Sequence, residues 1–296
     1  MFPDEFDYYE ATSVSEALDL LDEHSGRETE LLAGGHSLLP TMKSGLSSPD
    51  VLIDIGGIDA MHGVSVEGDT LSVGAMTRYS DLLDVDAAHE HAPAFMAAVR
   101  QIGDRQVRNR GTVGGNLAHA DPASDLPGAA LASDATIVAE GPDGEREIPV
   151  DDYFFGMYAT DLGHDELLTR VEIPSATDAV GAYAKKPSPS SGYAMVGVAA
   201  LLETDGGTVE SARVGANGAM DHGVRLEGVE DALAGTSLDE DAAAAAAEHA
   251  TDGLDTSMML SDLQASADFR AQLLEVYTRR ALTDAADVAA TPAAAD

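Results

Sequence analysis

Two glycine-rich segments decide how this chain folds: Leu32-Ala33-Gly34-Gly35-His36-Ser37-Leu38-Leu39-Pro40 and Arg110-Gly111-Thr112-Val113-Gly114-Gly115-Asn116. They lie about seventy residues apart in a chain of 296 residues. Each is typical of a turn that holds a phosphate, because glycine lets the backbone approach a ligand closely. The sequence therefore predicts an anion site to which both segments contribute.

The two segments predict different ways of presenting backbone N–H groups. The first follows a short apolar run and opens onto a predicted helical turn, so the N–H groups of Gly35, His36 and Ser37 are expected to point at an anion. The second brackets a threonine with glycines and ends on Asn116, a pattern that can form a concave nest of N–H donors. A Gly-Gly pair alone would be an ordinary tight turn, and only the full nine-residue context favours a phosphate site.

Composition excludes several classes of protein. No stretch reaches the roughly 18 to 20 apolar residues that span a bilayer, so no membrane insertion is expected. The start, Met1-Phe2-Pro3-Asp4-Glu5, has neither the basic region nor the apolar core of a secretory signal, which predicts a cytoplasmic location. Cysteine is absent, so the chain can hold no disulfide and no thiolate-bound iron–sulfur cluster. Any redox metal centre is expected in a partner.

The net charge is extreme, with 53 acidic against 16 basic residues and a formal value of −37. Self-repulsion of this size is relieved in molar salt, where the Debye length shrinks to about 3 Å. The acidic residues are spread along the whole sequence and form no concentrated block, which favours adaptation to a saline cytoplasm over an acidic docking surface. Nucleic-acid binding is not expected, because phosphate contacts need lysine and arginine.

Periodicity and turn residues predict a mixed α+β chain. Small, turn-forming residues at 174–181 predict a boundary between a first domain, 1–176, and a second domain, 177–296, with an antiparallel sheet plus helices. Residues 291–296 are predicted to be a frayed tail. The predicted helices are residues 14–21, 77–88, 93–102, 126–131, 229–234, 239–249 and 266–286. The predicted strands are residues 31–33, 51–55, 64–66, 71–73, 135–140, 145–150, 167–173, 193–203 and 208–217.

Both glycine segments, together with Val107-Arg108-Asn109 and Asp121-Pro122-Ala123-Ser124-Asp125-Leu126-Pro127, closely resemble the FAD-binding medium subunit of molybdenum hydroxylases. Within that family, the medium subunits of aerobic-type carbon monoxide dehydrogenases are the most similar. The resemblance runs from about residue 3 to about residue 285. It implies a vanillyl-alcohol-oxidase-type (PCMH-like) FAD-binding domain of two subdomains. A smaller α+β carbon monoxide dehydrogenase flavoprotein C-terminal domain is then expected to follow.

The resemblance also implies a set of residues that bind FAD. Asp125 would accept hydrogen bonds from hydroxyls of the cofactor, since a carboxylate beside phosphate would repel it. Leu168 and Lys185 match positions near the adenine and isoalloxazine ends, and no catalytic residue or metal ligand is implied. The residues assigned to the pyrophosphate and ribityl region are Ala33, Gly34, Gly35, His36, Ser37, Leu38, Thr112, Gly114, Gly115 and Asn116.

Several of these residues have alternative interpretations. The His36 imidazole could act as an acid or a ligand, although the motif uses its backbone. Asp121 and Asp125 could be solvated carboxylates or a helix cap, and Lys185 could be a surface charge. Tyr193 could pack in the core or lie near the flavin ring.

Two further clusters have more than one interpretation. The pair His89-Glu90-His91 could hold a metal but has no obvious third ligand nearby. The arginines at positions 100, 105, 108 and 110 could neutralise the cofactor, contact an iron–sulfur partner, or pair with surrounding carboxylates.

The function implied by the resemblance is that of the FAD-carrying electron-transfer subunit of a heterotrimeric molybdenum hydroxylase, related to carbon monoxide dehydrogenase or xanthine dehydrogenase. Substrate oxidation is then expected on a large molybdopterin subunit. Electrons would pass through [2Fe–2S] clusters of a small subunit to FAD, and on to quinone, NAD or another acceptor. The heterotrimers are expected to pair into a dimer. The alternatives are a stand-alone FAD-dependent oxidase of the same fold and an assembly subunit without redox turnover.

Overall fold

The structure, a computed structural model, describes residues 2–290, and the predicted tail at 291–296 lies outside the described residues. The helices are α1 (Val14–Glu23), α2 (Leu38–Ser44), α3 (Tyr79–Leu83), α4 (Asp86–His91), α5 (Pro93–Val99), α6 (Arg105–Arg108), α7 (Val113–His119), α8 (Leu126–Ala132), α9 (Glu227–Leu233), α10 (Glu240–Ala247) and α11 (Ala267–Ala290). The strands are β1 (Asp7–Glu10), β2 (Thr29–Leu32), β3 (Val51–Asp54), β4 (Val64–Glu67), β5 (Thr70–Gly74), β6 (Thr136–Gly141), β7 (Gly144–Pro149), β8 (Phe154–Gly156), β9 (Ala159–Thr160), β10 (Leu167–Pro174), β11 (Ala179–Pro187), β12 (Ala194–Asp205), β13 (Thr208–Asn217) and β14 (Val224–Arg225).

The N-terminal part of the chain contains two main sheets. A parallel sheet has the order β1-β3-β2, and its central strand is buried because Val51, Leu52 and Ile53 are all apolar. A five-stranded sheet has the order β4-β5-β10-β6-β7, in which every neighbouring pair is antiparallel. The helices between these sheets complete one apolar core, which gathers most of its buried residues from positions 11–173.

The C-terminal part is an antiparallel sheet with helices on both faces. Its strand order is β11-β12-β13-β14, and α11 packs against β11 and β12 while α9 packs against β13. A second apolar core, with buried residues from positions 182–285, lies between this sheet and the C-terminal helices. The opposite face of the sheet receives α5 and α8 from the N-terminal part.

Close backbone contact joins the two parts. A Cβ atom on Gly215 in β13 would lie 2.1 Å from the carbonyl oxygen of Gly128 in α8. A Cβ atom on Gly181 in β11 would lie 2.2 Å from the amide nitrogen of Ala94 in α5. Only glycine fits at such distances, so both helices lie directly on the sheet.

The structure corrects several predicted elements. The single helix predicted over residues 77–88 is wrong, because Val85 is extended (φ −100°, ψ 106°) and separates α3 from α4. The prediction missed β11, which begins at Ala179 inside the segment of small residues, and it also missed the short helices α6 and α7. In the described part of the chain, no helix combines the length and apolar character that crossing a membrane requires.

Candidate cofactor site

The two glycine segments meet at one cavity of about 800 Å³. Its walls come from the start of α2, the start of α7, the loop before β10 and the loop before β12. Of the residues assigned to the cofactor from the sequence, Lys185 alone does not line this cavity. Those that do are Ala33, Gly34, Gly35, His36, Ser37, Leu38, Thr112, Gly114, Gly115, Asn116, Asp125 and Leu168.

The first segment leaves its backbone donors free. Strand β2 ends at Leu32 and α2 begins at Leu38. The carbonyl oxygens of Gly35 and Ser37 accept hydrogen bonds from the first turn of α2, but the N–H groups between strand and helix donate to neither element. Within residues 2–290, the N–H groups of residues 34–38 have no acceptor. Gly35 has φ +72°, a left-handed conformation that favours glycine. Polar N–H groups at a cavity wall need a partner, and an anion supplies it.

Gly34 lets the first segment touch the second. A Cβ atom at this position would lie 2.3 Å from the carbonyl oxygen of Arg110, a contact that no side chain can make. Gly34 is therefore required by the approach of one backbone to another. The contact fixes the free N–H groups beside the start of α7.

The second segment does not form the predicted nest, because its donors are engaged within the chain. The N–H of Gly114 donates to the carbonyl oxygen of Ala75 at 2.8 Å. The N–H of Gly115 donates to Thr112 Oγ1 at 3.2 Å, so the threonine side chain caps α7. Threonine is a preferred N-cap residue, and this local preference outweighs the tendency of glycines to form a nest. Of this segment, Thr112 still has a backbone N–H with no acceptor in the described range.

Asn116 fixes the wall beside the second segment with its side chain. Its Nδ2 donates to the hydroxyl of Tyr79 at 2.8 Å, and its Oδ1 accepts a hydrogen bond from Ser124 Oγ at 2.7 Å. Tyr79 and Ser124 also line the cavity, and the sequence analysis assigned neither of them to the site. Their positions depend on contacts 37 and 8 residues away in sequence, which no local pattern reveals.

A buried ion pair lies behind the cavity. Lys185 Nζ is 2.7 Å from Asp125 Oδ2 and donates to the carbonyl oxygen of Gln101 at 2.8 Å, while the Tyr183 hydroxyl donates to Asp125 Oδ1 at 2.6 Å. The Lys185 and Asp125 side chains are only 7% and 6% exposed, so the solvated interpretations of both residues are wrong. Asp125 makes no side-chain cap bond to α8 either. Burial raises the pKa of Asp125, and the Lys185 ammonium and Tyr183 hydroxyl oppose that rise.

The loop before β10 forms a wall that is held by charges. Arg146 Nε is 2.6 Å from Glu166 Oε1, and Arg146 Nη1 is 2.6 Å from Asp161 Oδ2. Glu166 also accepts a hydrogen bond from the N–H of Gly163 at 2.6 Å. The guanidinium of Arg146 lowers the pKa of Glu166, although partial burial opposes this. No local sequence pattern indicates this wall, because its partners lie on separate elements.

Aromatic side chains border the mouth of the cavity. Tyr193 lines it and is 43% exposed, so the alternative that placed this residue in the core is wrong. Burial, and next the charge of Asp121, raise the pKa of Tyr193. The rings of His119 and Tyr158 lie 5.0 Å apart on the same cavity, and burial lowers the pKa of His119. Such rings suit a flat ligand.

The remaining histidine candidates have separate environments. His36 is exposed and its ring has no hydrogen-bond partner between residues 2 and 290. His89 Nε2 is 2.8 Å from the carbonyl oxygen of Leu83, and its Nδ1 is 2.8 Å from Arg100 Nη2. His91 Nδ1 is 2.8 Å from Ser175 Oγ. Both rings of the predicted pair are therefore hydrogen-bonded to protein groups.

The site fits a dinucleotide. Its volume lies in the usual range for small-molecule and cofactor cavities, roughly 300–1,000 Å³. Unpaired amides lie on one side for a pyrophosphate, and aromatic rings border the mouth. In a chain of net charge −37, oriented N–H groups hold phosphate without a lysine in the cavity wall.

Comparison with known proteins gives two family matches. Residues 4–176 match the FAD binding domain in molybdopterin dehydrogenase. Residues 181–285 match the CO dehydrogenase flavoprotein C-terminal domain. The predicted fold class, an FAD-binding domain followed by this α+β C-terminal domain, is confirmed, and so is FAD as the cofactor.

Individual relatives match along nearly their whole length. The chain is 36% identical to the carbon monoxide dehydrogenase medium chain of Hydrogenophaga pseudoflava, covering 96% of this chain and 98% of that protein. It is 34% identical to the glyceraldehyde dehydrogenase medium chain of Sulfolobus acidocaldarius, covering 97% of this chain and 100% of that protein. A solved carbon monoxide dehydrogenase from Hydrogenophaga pseudoflava superposes with a TM-score of 0.90 at 36% identity, covering 97% of this chain and 99% of that chain. The chain is an FAD-binding oxidoreductase subunit and belongs to the medium subunits of the molybdenum hydroxylase family.

Proposed function

We propose that this chain is the electron-transfer subunit of a heterotrimeric molybdenum hydroxylase. A small partner carries [2Fe–2S] clusters, a large partner carries the molybdopterin cofactor and oxidises the substrate, and two heterotrimers pair into a dimer. The observation that carries the proposal is the row of unpaired amides at residues 34–38 beside a cavity of about 800 Å³. The absence of cysteine supports the placing of the iron–sulfur clusters on a partner.

The residues of the chain bind and orient the cofactor. The amides of residues 34–38 and of Thr112 donate to the pyrophosphate, and Gly34 keeps the two segments in contact. FAD, when bound, supplies the chemistry that accepts single electrons from the clusters and delivers pairs to an external acceptor such as quinone or NAD. The protein contributes position and electrostatics, so no side chain of this chain needs to act as a nucleophile or general base.

Three assigned residues lie away from the glycine segments. Leu168 lines the cavity and supports the adenine end. Asp125 lines it as well, and its carboxylate is held by Tyr183 and Lys185 ready to accept a hydrogen bond from a cofactor hydroxyl. Lys185 acts behind the cavity wall, through Asp125.

We also propose the division into domains at residues 1–176 and 177–296, which is supported by two separate apolar cores. The even spread of acidic residues supports a saline cytoplasm as the place where the protein works.

The first experiment is purification of the chain in molar KCl, followed by an absorption spectrum and identification of the released chromophore. The proposal predicts a flavin spectrum, FAD released on denaturation, and flavin bleaching when the reduced [2Fe–2S] subunit is added. A folded chain that neither carries nor rebinds FAD would favour the assembly subunit instead. A chain that oxidises a substrate without any partner would favour the stand-alone oxidase.

A further inference from the structure

The arginines of this chain fall into two groups. One group forms ion pairs with carboxylates, and its members are Arg27, Arg146, Arg170, Arg213, Arg225 and Arg270. The other group includes Arg78, Arg105 and Arg110, which are exposed and form no ion pair or hydrogen bond through their guanidinium groups with any residue from 2 to 290. These three are called the arginine patch below. The interpretation that the arginines at 100–110 merely pair with surrounding carboxylates is wrong for Arg105 and Arg110.

The segments that carry the arginine patch have adjacent backbones. Arg78 forms an isolated bridge with Thr112, and the N–H of Tyr79 donates to the carbonyl oxygen of Gly111 at 3.1 Å. Arg105 begins α6, and Arg110 follows that helix and leads into the second glycine segment. The nearest carboxylate in sequence, Asp104, caps α6 by accepting from the N–H of Val107 at 2.9 Å and forms no ion pair with the arginine patch.

Arg100 and Arg108 lie in the same stretch but have structural partners. Arg108 Nη1 donates to the carbonyl oxygens of Ile102 and Gly103 at 2.8 and 3.0 Å. Arg100 contacts His89. These two residues are therefore excluded from the arginine patch.

The arginine patch lies at the rim of the cofactor cavity and outside its lining. Ile102, Gly103 and Val107 line the cavity, but no arginine does. Neutralising the cofactor is thus left to the backbone amides, and the guanidinium groups face solvent beside the cavity.

Exposed, unpaired guanidinium groups in a chain of net charge −37 define the kind of partner that fits. Acidic proteins repel one another, and association needs a place where the sign of the charge is reversed. Guanidinium groups form planar, two-pronged hydrogen bonds with carboxylates, and such short contacts persist when salt screens long-range forces. The surface therefore suits carboxylates on a protein partner.

We propose that the arginine patch docks an acidic face of the [2Fe–2S] subunit at the rim of the cofactor cavity. This inference rests on the proposed function, since it takes that subunit as the electron donor. The donor has to reach the cofactor cavity, and Tyr79, Val107 and Gly111, which lie within two residues of the three arginines, line that cavity. The large subunit does not deliver electrons to FAD directly, so it does not have to approach this cavity.

The test compares two double variants of the full-length chain that change the net charge equally. Arg78→Glu/Arg105→Glu reverses two members of the arginine patch that lie outside both glycine segments. Lys43→Glu/Arg279→Glu reverses two exposed cations outside it that also form no ion pair among the described residues. Affinity for the isolated [2Fe–2S] subunit, identified by its electron paramagnetic resonance spectrum, is measured in molar KCl by sedimentation, and bound FAD is measured by absorbance.

The expected result is that Arg78→Glu/Arg105→Glu weakens binding at least about tenfold while FAD content stays at the wild-type level. The control should bind like wild type. Equal binding by both variants, or equal weakening in both, would overturn the inference while leaving the proposed function intact. Loss of FAD from Arg78→Glu/Arg105→Glu alone would also overturn it, because the arginines would then serve the cofactor. A wild-type chain that binds FAD but not the [2Fe–2S] subunit would contradict the proposed function itself.

Discussion

The two glycine segments look alike in sequence but do opposite things with their backbone donors. In the first, the amides of residues 34–38 have no acceptor within the described chain and face the cavity. In the second, Thr112 and Ala75 take up the amides of Gly115 and Gly114. The first segment offers its amides to a ligand, and the second segment mainly holds the first one in position.

The glycines themselves differ in the same way. Gly35 is required by a left-handed backbone, whereas Gly114 is required by packing, since a Cβ there would lie 2.4 Å from Ala75 Cβ. A glycine-rich segment therefore does not by itself indicate free donors. The number of amides left without an acceptor is the better criterion for an anion site.

The largest effect is expected from Ser37→Asp, which adds a carboxylate among the free amides. It would occupy those donors and repel pyrophosphate in a partly buried place, so FAD affinity should fall at least about a hundredfold. Titration of the apoprotein with FAD, followed by flavin fluorescence, measures this. Ser25→Asp is the matched control, because Ser25 is exposed beyond the end of α1. Equal affinity in the two variants would show that the first segment does not hold the anion.

Gly114→Ala is expected to act on stability. The added methyl group overlaps Ala75, and overpacking of this kind costs about 2 kcal/mol of unfolding free energy. Denaturant unfolding at a fixed KCl concentration measures it. Gly26→Ala is the control, since nothing lies within 4 Å of a Cβ atom there. A Gly114→Ala protein as stable as the control would mean that α7 does not pack as described.

Thr112→Ala removes the cap of α7 and should cost about 1 kcal/mol. Thr112→Ser keeps the hydroxyl and should restore most of that loss. Ser37 makes no side-chain cap bond to α2, so Ser37→Ala should leave the unfolding free energy nearly unchanged. If thermal unfolding showed similar losses of stability for Thr112→Ala and Ser37→Ala, the two segments would not differ in side-chain capping.

Glu166→Gln tests the cavity wall formed by the loop before β10, to which neither glycine segment contributes. The pKa of Glu166 is lowered in the folded protein, so its stabilisation is present above the ordinary pKa of about 4.3 and is lost as the pH falls through the lowered value. The melting temperature of the variant should therefore fall less steeply than that of the wild type below about pH 5. The loss of unfolding free energy at neutral pH should stay under about 1 kcal/mol, because Arg146 is partly exposed. Glu67→Gln is the control, because Glu67 is exposed and its side chain has no hydrogen bond to any residue from 2 to 290. Identical pH profiles for the two variants would rule out this role.

Local patterns predicted the elements that local chemistry controls. The hairpin between β12 and β13 follows from Asp205-Gly206-Gly207, and α5 begins at Pro93 as its sequence indicates. Strand β11 was missed because Gly181, Ala182 and Ala184 are small, and their size is explained only by the helices packed on that strand.

In the site, too, local sequence patterns do not predict contacts between distant positions. The resemblance assigned Asp125 and Lys185 separately, but their ion pair joins positions sixty residues apart. The wall held by Arg146 depends on Asp161 and Glu166, which lie on a loop distant in sequence from β7. Such pairings follow from the whole fold, and a single sequence carries no local signal for them.

The buried ion pair of Lys185 and Asp125 connects the N-terminal and C-terminal parts of the chain. Asp125 belongs to the N-terminal part, while Lys185 and Tyr183 lie on the sheet of the C-terminal part. Separating the two parts would break this ion pair and the hydrogen bond from Tyr183, and would expose to water the apolar surface that α5 and α8 bury on the sheet. The two cores should therefore melt as one cooperative unit, and the cofactor cavity, which residues of both parts line, should be lost in the same transition.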